Sequence, residues 1–231
     1  MRALLGRGGS RECDVVLAMI AARVLDPQSK LATSRSWHHS TFGALFGVED
    51  ADENALYAAM DWLLERQDGK ERRLAKRHLH EGGRVLYDLS SSYFEGERCP
   101  LGRCGYSRDK KKGKLQVNCG LLTNASGCPV SISVFEGNTS DPQTLLPQVE
   151  KLQQDFELES VVLVGDRGMI SQKQVDALSE RSGIEWITAL KSGAIRKLVD
   201  ASCIQMGLFD EHNLFEFAHA DSATWRRHFV R

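Results

Sequence analysis

Arg84-Val85-Leu86-Tyr87-Asp88-Leu89-Ser90-Ser91-Ser92-Tyr93-Phe94 is the stretch on which the fold turns. Its apolar and aromatic residues predict a strand over 84–94, and Gly82-Gly83 marks a break in texture just before it. Downstream, a long basic loop with several glycines occupies 96–113. Residues 114–123 predict a second strand, Asn124-Ala125-Ser126-Gly127 a turn, and 129–136 a third strand. In that third strand Val130, Ile132 and Val134 alternate with Ser131 and Ser133, the period of a sheet. Short spacing and a polar turn favour an antiparallel meander.

After residue 140 the period changes. Asp141-Pro142 predicts a helix start with Asp141 as the cap, running to about residue 156 through Leu145, Leu146, Val149 and Leu152. Residues 160–164 are continuously apolar, as in a buried central strand. Ser171 predicts the cap of a helix through 182, closed by Gly183, and 185–190 predict a fifth strand. The rest, to Arg231, has weak helical runs and no clear final element. The order β-β-β-α-β-α-β, a meander followed by helix-linked crossovers, predicts an α/β fold with a mixed sheet. That succession matches the ribonuclease H-like fold.

Upstream of the break the chain reads as helical. Val15, Val16, Met19, Ile20 and Val24 recur at helical spacing over 11–25, and Asp26-Pro27 ends that run. A short helix over 29–37, a loop over 40–50 and a helix over 52–67 follow. Asp68-Gly69 reads as a break, after which 70–80 resume as a basic helix. The expected division is a helical, DNA-binding region over 1–81, an incomplete core over 82–220 and a divergent tail over 221–231.

Composition narrows the class. The chain has 231 residues, 42% hydrophobic and 26% charged, as in an ordinary globular protein. No apolar run reaches the roughly 18 residues of a membrane span, and the first residues lack a signal peptide's apolar stretch, so a cytoplasmic protein is expected. Cys13, Cys99, Cys104, Cys119, Cys128 and Cys203 include no Cys-x-x-Cys pair and read as reduced structural thiols. Net charge is only −1, yet cations cluster. Arg98, Arg103, Arg108, Lys110, Lys111, Lys112 and Lys114 face the single acid Asp109 in one stretch; Lys70, Arg72, Arg73, Lys76 and Arg77 form another. Patches of this kind attract phosphates, although charge runs are also common on plain solvated surfaces.

Two aspartates stand out. Asp88 sits among apolar strand residues, where burial without a compensating cation costs several kcal/mol. Asp166 directly follows the apolar fourth strand, at the carboxyl end where α/β sheets bind ligands. Such a residue alone is more often a turn or cap. In the ribonuclease H-like order the first and fourth strands are parallel neighbours, so both carboxylates would face one crevice. Hard oxygen donors suit Mg²⁺ or Mn²⁺, and a metal pair can activate a nucleophile and stabilise the leaving oxygen of a phosphodiester. Arg167 would pair with Asp166 or with phosphate.

Three segments together carry a family resemblance: Tyr87-Asp88-Leu89-Ser90-Ser91-Ser92-Tyr93-Phe94-Glu95-Gly96, Gly137-Asn138-Thr139-Ser140-Asp141, and Val164 to Ser171. They resemble the DDE-class transposases of bacterial insertion sequences, in the group usually numbered four and its long-reading-frame subgroup. The resemblance implies that Asp88 and Asp166 are catalytic metal ligands. It implies hydrolysis of double-stranded DNA at the terminal inverted repeats, then strand transfer into target DNA, with Mg²⁺ or Mn²⁺ as cofactor and a homodimer as the working form. Arg103, Arg108, Lys110, Lys111, Lys112, Lys114 and Arg167 would then lie along DNA. The family's third acid, within a Tyr…Arg…Glu…Lys signature, has no counterpart; Glu211 and Glu216 lack the preceding Tyr and Arg. The expectation is therefore a fragment, truncated at both ends and inactive alone. A non-catalytic DNA-binding module, or another ribonuclease H-like nuclease using Glu211 or Glu216, are the alternatives.

Overall fold

In the computed structural model, Gly83–Phe94 forms one long strand, β1, at the centre of a five-stranded sheet. The structure describes residues 9–96, 98–106, 111, 113–189, 193, 196 and 200, and the backbone of two short strands near the end. The chain divides into two compact units, Met1–Arg77 and His78–Arg231.

In the second unit the order is β1, β2 (Leu115–Asn124), β3 (Pro129–Glu136), helix α6 (Asp141–Glu150), β4 (Val161–Val164), helix α7 (Gln172–Ser179) and β5 (Ile184–Ile187). The sheet runs β3-β2-β1-β4-β5. β1 pairs antiparallel with β2, and β2 with β3; β1 pairs parallel with β4, and β4 with β5. This is the ribonuclease H-like arrangement, a meander joined to two right-sized crossovers. A separate antiparallel ribbon pairs β6 (Phe215–Phe217) with β7 (His228–Val230), where the sequence offered no clear element.

One face of the sheet is packed. Val85, Tyr87 and Leu89 of β1, Leu122 of β2 and Leu163 of β4 meet Leu145, Val149 and Leu152 of the α6 segment and Leu178 of α7. These side chains are essentially removed from water, each contributing about 1.5–3 kcal/mol of transfer free energy. The other face is open: Leu121, Ile132, Val134 and Ile187 keep 37%, 46%, 51% and 44% of their surface exposed.

Helix α6 starts one residue earlier in role than expected. Ser140 is the cap and Asp141 the first helical residue, because the Gln143 side chain accepts the Ser140 N–H at 3.1 Å. After Glu150 the helix widens into a π turn over Lys151–Asp155, shortly after Pro147, whose missing N–H interrupts the regular ladder. α7 ends at Ser179 rather than 182, and β5 starts at Ile184 because Gly183, at φ +76°, turns the chain within 1.8 Å of where its Cβ would meet the Glu159 carbonyl.

The first unit contains α1 (Arg11–Leu25), α2 (Lys30–Ser36), α3 (Thr41–Phe46), α4 (Glu53–Leu64) and most of α5 (Gln67–His78). Val15, Val16 and Ala18 of α1 pack with Trp37 and Leu56. The expected loop over 40–50 contains α3. Gly43 reads as a breaker, but a Cβ there would lie 2.6 Å from the Trp37 carbonyl, so its bareness serves a close approach. The expected break at Asp68-Gly69 is also absent. α5 runs through both residues, and the interruption falls at Glu65-Arg66. A helical glycine costs only about 1 kcal/mol, too little to stop a helix.

Candidate active site

The register of β1 and β4 decides where the two aspartates stand. Gly83 pairs with Val161 and the ladder continues to Leu86 opposite Val164. Asp88 lies two residues further along β1, within the strand, and Asp166 lies two residues past Val164, just beyond the end of β4. Alternation puts Asp88 on the open face with Leu86, while Asp166 opens the turn after β4 and is exposed.

The expectation of a buried Asp88 is corrected. Tyr87 and Leu89 beside it are buried, while Asp88 is exposed. The carboxylate stands on the uncovered face next to its cross-strand neighbour Leu121, with no burial penalty to offset. Among the described residues it makes no hydrogen bond or ion pair, so its oxygens are available to an incoming ligand.

Asp166 is held differently. One oxygen, Oδ1, accepts the N–H groups of Gly168 at 3.0 Å and Met169 at 2.8 Å. Its own carbonyl accepts from Met169 and Ile170 N–H and from the Thr188 hydroxyl at 3.1 Å. A Cβ at position 168 would come 3.3 Å from Oδ1, a tight contact that the carboxylate would have to yield slightly to accept. The local turn bonding orients the carboxylate and leaves Oδ2 without a partner among the described residues. Arg167 is exposed and forms no ion pair among the described residues.

The register itself is pinned at the opposite end of the strands, by a residue the sequence reading passed over. The Glu81 carboxylate accepts from Glu159 N–H at 3.0 Å, Ser160 N–H at 2.7 Å and the Ser160 hydroxyl at 3.0 Å. Gly82 N–H returns a bond to the Ser160 carbonyl at 2.9 Å. The backbone bonds from Glu159 and Ser160 hold the Glu81 carboxyl below its ordinary pKa of 4.5.

A second pair of missed residues shapes the neighbouring turn. Gln116 and Asn118, 2% and 5% exposed, alternate along the packed face of β2. Gln116 Nε2 donates to the carbonyls of Gly137 at 2.8 Å and Tyr106 at 3.0 Å; Asn118 Nδ2 donates to Thr139 at 2.9 Å. These amides fix the Gly137–Asp141 turn and the foot of the basic loop. A cleft of about 290 Å³ lies there, lined by Tyr106, Asn118, residues 137–142 and Gly168. Polar residues at strand spacing with Gly120 and Leu122 were the signal that could have revealed them.

The basic loop is partly tied down. The Arg103 guanidinium bonds Glu136 at 3.0 Å and the carbonyls of Pro100 and Gly102, and its backbone bridges Gln116. Lys114 lies 3.6 Å from Glu95, and Lys111 lies over the Tyr93 ring at 5.8 Å. Arg108, Lys110 and Lys112 lie outside the described residues, as do Glu211, Cys203 and the side chain of Glu216.

Both carboxylates are hard oxygen donors, and the Asp88 side chain has no competing partner among the described residues, so the two fit a divalent cation in donor chemistry. Among the described residues no third acid, histidine or cysteine joins them in one metal-holding group. No described helix is long and apolar enough to cross a membrane.

Residues 84–223 match the family described as the transposase DDE domain, more than half of the 231-residue chain. No relative among curated proteins matches the sequence. Among solved structures, the chain is similar to the piggyBac transposase synaptic complex with hairpin DNA, at 14% identity and TM-score 0.45, covering 78% of this chain and 41% of that one. It is also similar to the Mos1 transposase paired-end complex with left transposon end, at 11% identity and TM-score 0.32, covering 85% and 73%.

Proposed function

The chain belongs to the family of transposase DDE domains, and on that premise we propose that Asp88 and Asp166 are its catalytic acids. The observation that supports this reading is the β1–β4 register: Leu86 pairs with Val164, and each aspartate follows two residues later in the direction of these parallel strands. The reaction is hydrolysis of a DNA strand at the ends of an insertion sequence of bacterial type, followed by transfer of the freed 3′-hydroxyl into target DNA. Residues 82–220 form the catalytic core in this reading. The chain works as a homodimer in the cytoplasm.

Asp88 and Asp166 would hold Mg²⁺ or Mn²⁺, which when bound supplies Lewis-acid activation of the nucleophile and of the leaving oxygen. Asp88 offers both oxygens from a rigid strand. Asp166 offers Oδ2, with Oδ1 locked by the Gly168 and Met169 N–H groups so that the carboxylate cannot rotate away. Arg167 and the basic loop residues Arg103, Arg108, Lys110, Lys111, Lys112 and Lys114 draw the phosphate backbone toward the acids. Arg103 and Lys114 release or share Glu136 and Glu95 as phosphates arrive. Two carboxylates alone hold a metal weakly, and among the described residues no third acid joins them.

The test is strand cleavage of duplex DNA bearing the element's ends, with Mn²⁺ titrated in parallel by its paramagnetic resonance. Asp88→Ala and Asp166→Asn should each abolish protein-dependent Mn²⁺ binding and lower any cleavage at least about 100-fold. Equal Mn²⁺ binding by both variants and the parent chain would refute the assignment.

A further inference from the structure

The acid pair leaves unexplained an arrangement of charge on α5. At about 100° per residue, Arg66 and the α5 residues Lys70, Arg72, Arg73, Lys76 and Arg77 all fall within an arc of roughly 160°. The buried or half-buried residues Gln67, Glu71, Leu74, Ala75 and His78 occupy the opposite side. Both acids of the helix, Asp68 and Glu71, lie outside the basic arc.

Most of these cations have no ion-pair partner among the described residues. Arg72, Arg73, Lys76 and Arg77 form no ion pair among the described residues. Arg66 pairs only with its exposed neighbour Glu65 at 3.1 Å. The Trp62 ring anchors the start of the arc, with the Arg66 guanidinium 4.4 Å and the Lys70 ammonium 5.2 Å from its centre. Lys70 also donates to the Leu63 carbonyl at 3.4 Å. Partial burial, then the charges of Arg66 and Arg73, push the Lys70 ammonium below its ordinary pKa. The helix therefore carries self-repulsion that an anionic ligand would relieve.

The shape of the arc favours a nucleic-acid backbone. It is a line of cations about 16 Å long at a rise of about 1.5 Å per residue, matched to a polyanion and larger than a single phosphate needs. Arginine predominates, as in phosphate recognition. No apolar side chain lies within the arc to enter a bilayer. Its one neutral position is Gly69, and nothing lies within 4 Å of where its Cβ would be. A phosphate can approach there unhindered.

We infer that the basic arc of α5, formed by Lys70, Arg72, Arg73, Lys76 and Arg77 with Gly69 near its start, is a sequence-independent docking surface for duplex DNA. This surface lies in the first unit, outside the acid-bearing core. It takes its ligand class from the transposase reading, but its test does not depend on cleavage.

Gly69 supplies that test, because Glu and Lys there fill open space and are both better helix formers than Gly. The full chain is titrated against a fluorescent DNA duplex of unrelated sequence over a salt series. Gly69→Glu should weaken binding and Gly69→Lys strengthen it, each about threefold or more. Arg73→Ala with Arg77→Ala should make the slope of log affinity against log salt shallower by about 1.8, from about 0.9 per phosphate contact. Circular dichroism confirms that the helix is kept. Equal affinity of the two Gly69 variants, or an unchanged salt slope, would overturn the inference and show a plain solvated face. It would also be overturned if anionic vesicles or single-stranded RNA tracked the variants and duplex DNA did not. Asp88→Ala is carried alongside. Cleavage that requires Asp88 beside binding indifferent to α5 charge sinks only this inference. Binding that follows α5 charge supports it even if Asp88→Ala changes nothing.

Discussion

The two faces of the central sheet differ in what they are for. On the packed face, Val85, Tyr87, Leu89, Leu122 and Leu163 are sealed against α6 and α7. On the open face, Leu86, Asp88, Leu121, Ile132 and Val134 meet no helix of the described residues so closely, and several remain well exposed. Every second residue of β1 thus serves stability and every other one is left free for chemistry. Substitutions on the two faces should accordingly separate folding from function.

The largest effect is expected on the packed face. Leu163→Ala or Leu145→Ala removes a fully buried side chain and should cost about 2–5 kcal/mol in urea unfolding. On the open face, Asp88→Asn should change unfolding free energy by no more than about 0.5 kcal/mol while removing Mn²⁺ binding. A loss of several kcal/mol there would end the distinction between the faces. Next comes Asn118→Ala, which removes the side-chain donor to the Thr139 carbonyl while Gly137 keeps its bond from Gln116, and should cost about 1–3 kcal/mol. Hydrogen exchange should show faster opening at the turn, with the β1–β4 ladder unchanged.

The smallest effect concerns pH. Glu81 has a lowered pKa in the folded chain, so its contribution is present above the ordinary carboxylate value of 4.5 and is lost as pH falls through the lowered one. Glu81→Gln should therefore be less stable than the parent near neutral pH, and the two unfolding curves should converge in acid. Parallel curves across the whole range would show that the clamp carries no charge-dependent bonding.

The strand order was legible because each change of period coincided with a change of element. The pairing of Asp88 with Asp166 was an expectation from their places within the first strand and directly after the fourth. The exposure of Asp88 was not. Leu86 lies on the open face, so Val85-Leu86-Tyr87 looks apolar on both sides and hides the alternation. Gly43 and Gly69 misled for a related reason. Glycine signals a turn only when the backbone needs positive φ, as at Gly47 and Gly183; at 43 it makes room, and at 69 it is simply bare. Gln116 and Asn118 resembled a solvated strand face, since their carbonyl partners lie some twenty residues away in sequence.

The Glu81 clamp has a consequence for the order of folding. It joins β1 to a segment 78 residues later, across the whole meander and α6. Closing so long a loop is entropically slow, and its contacts form after the local hairpins. The β1–β4 ladder that starts beside the clamp, from Gly83 opposite Val161 to Leu86 opposite Val164, pairs only once this loop has closed. A chain still emerging from the ribosome therefore carries the meander before it carries the β1–β4 pairing.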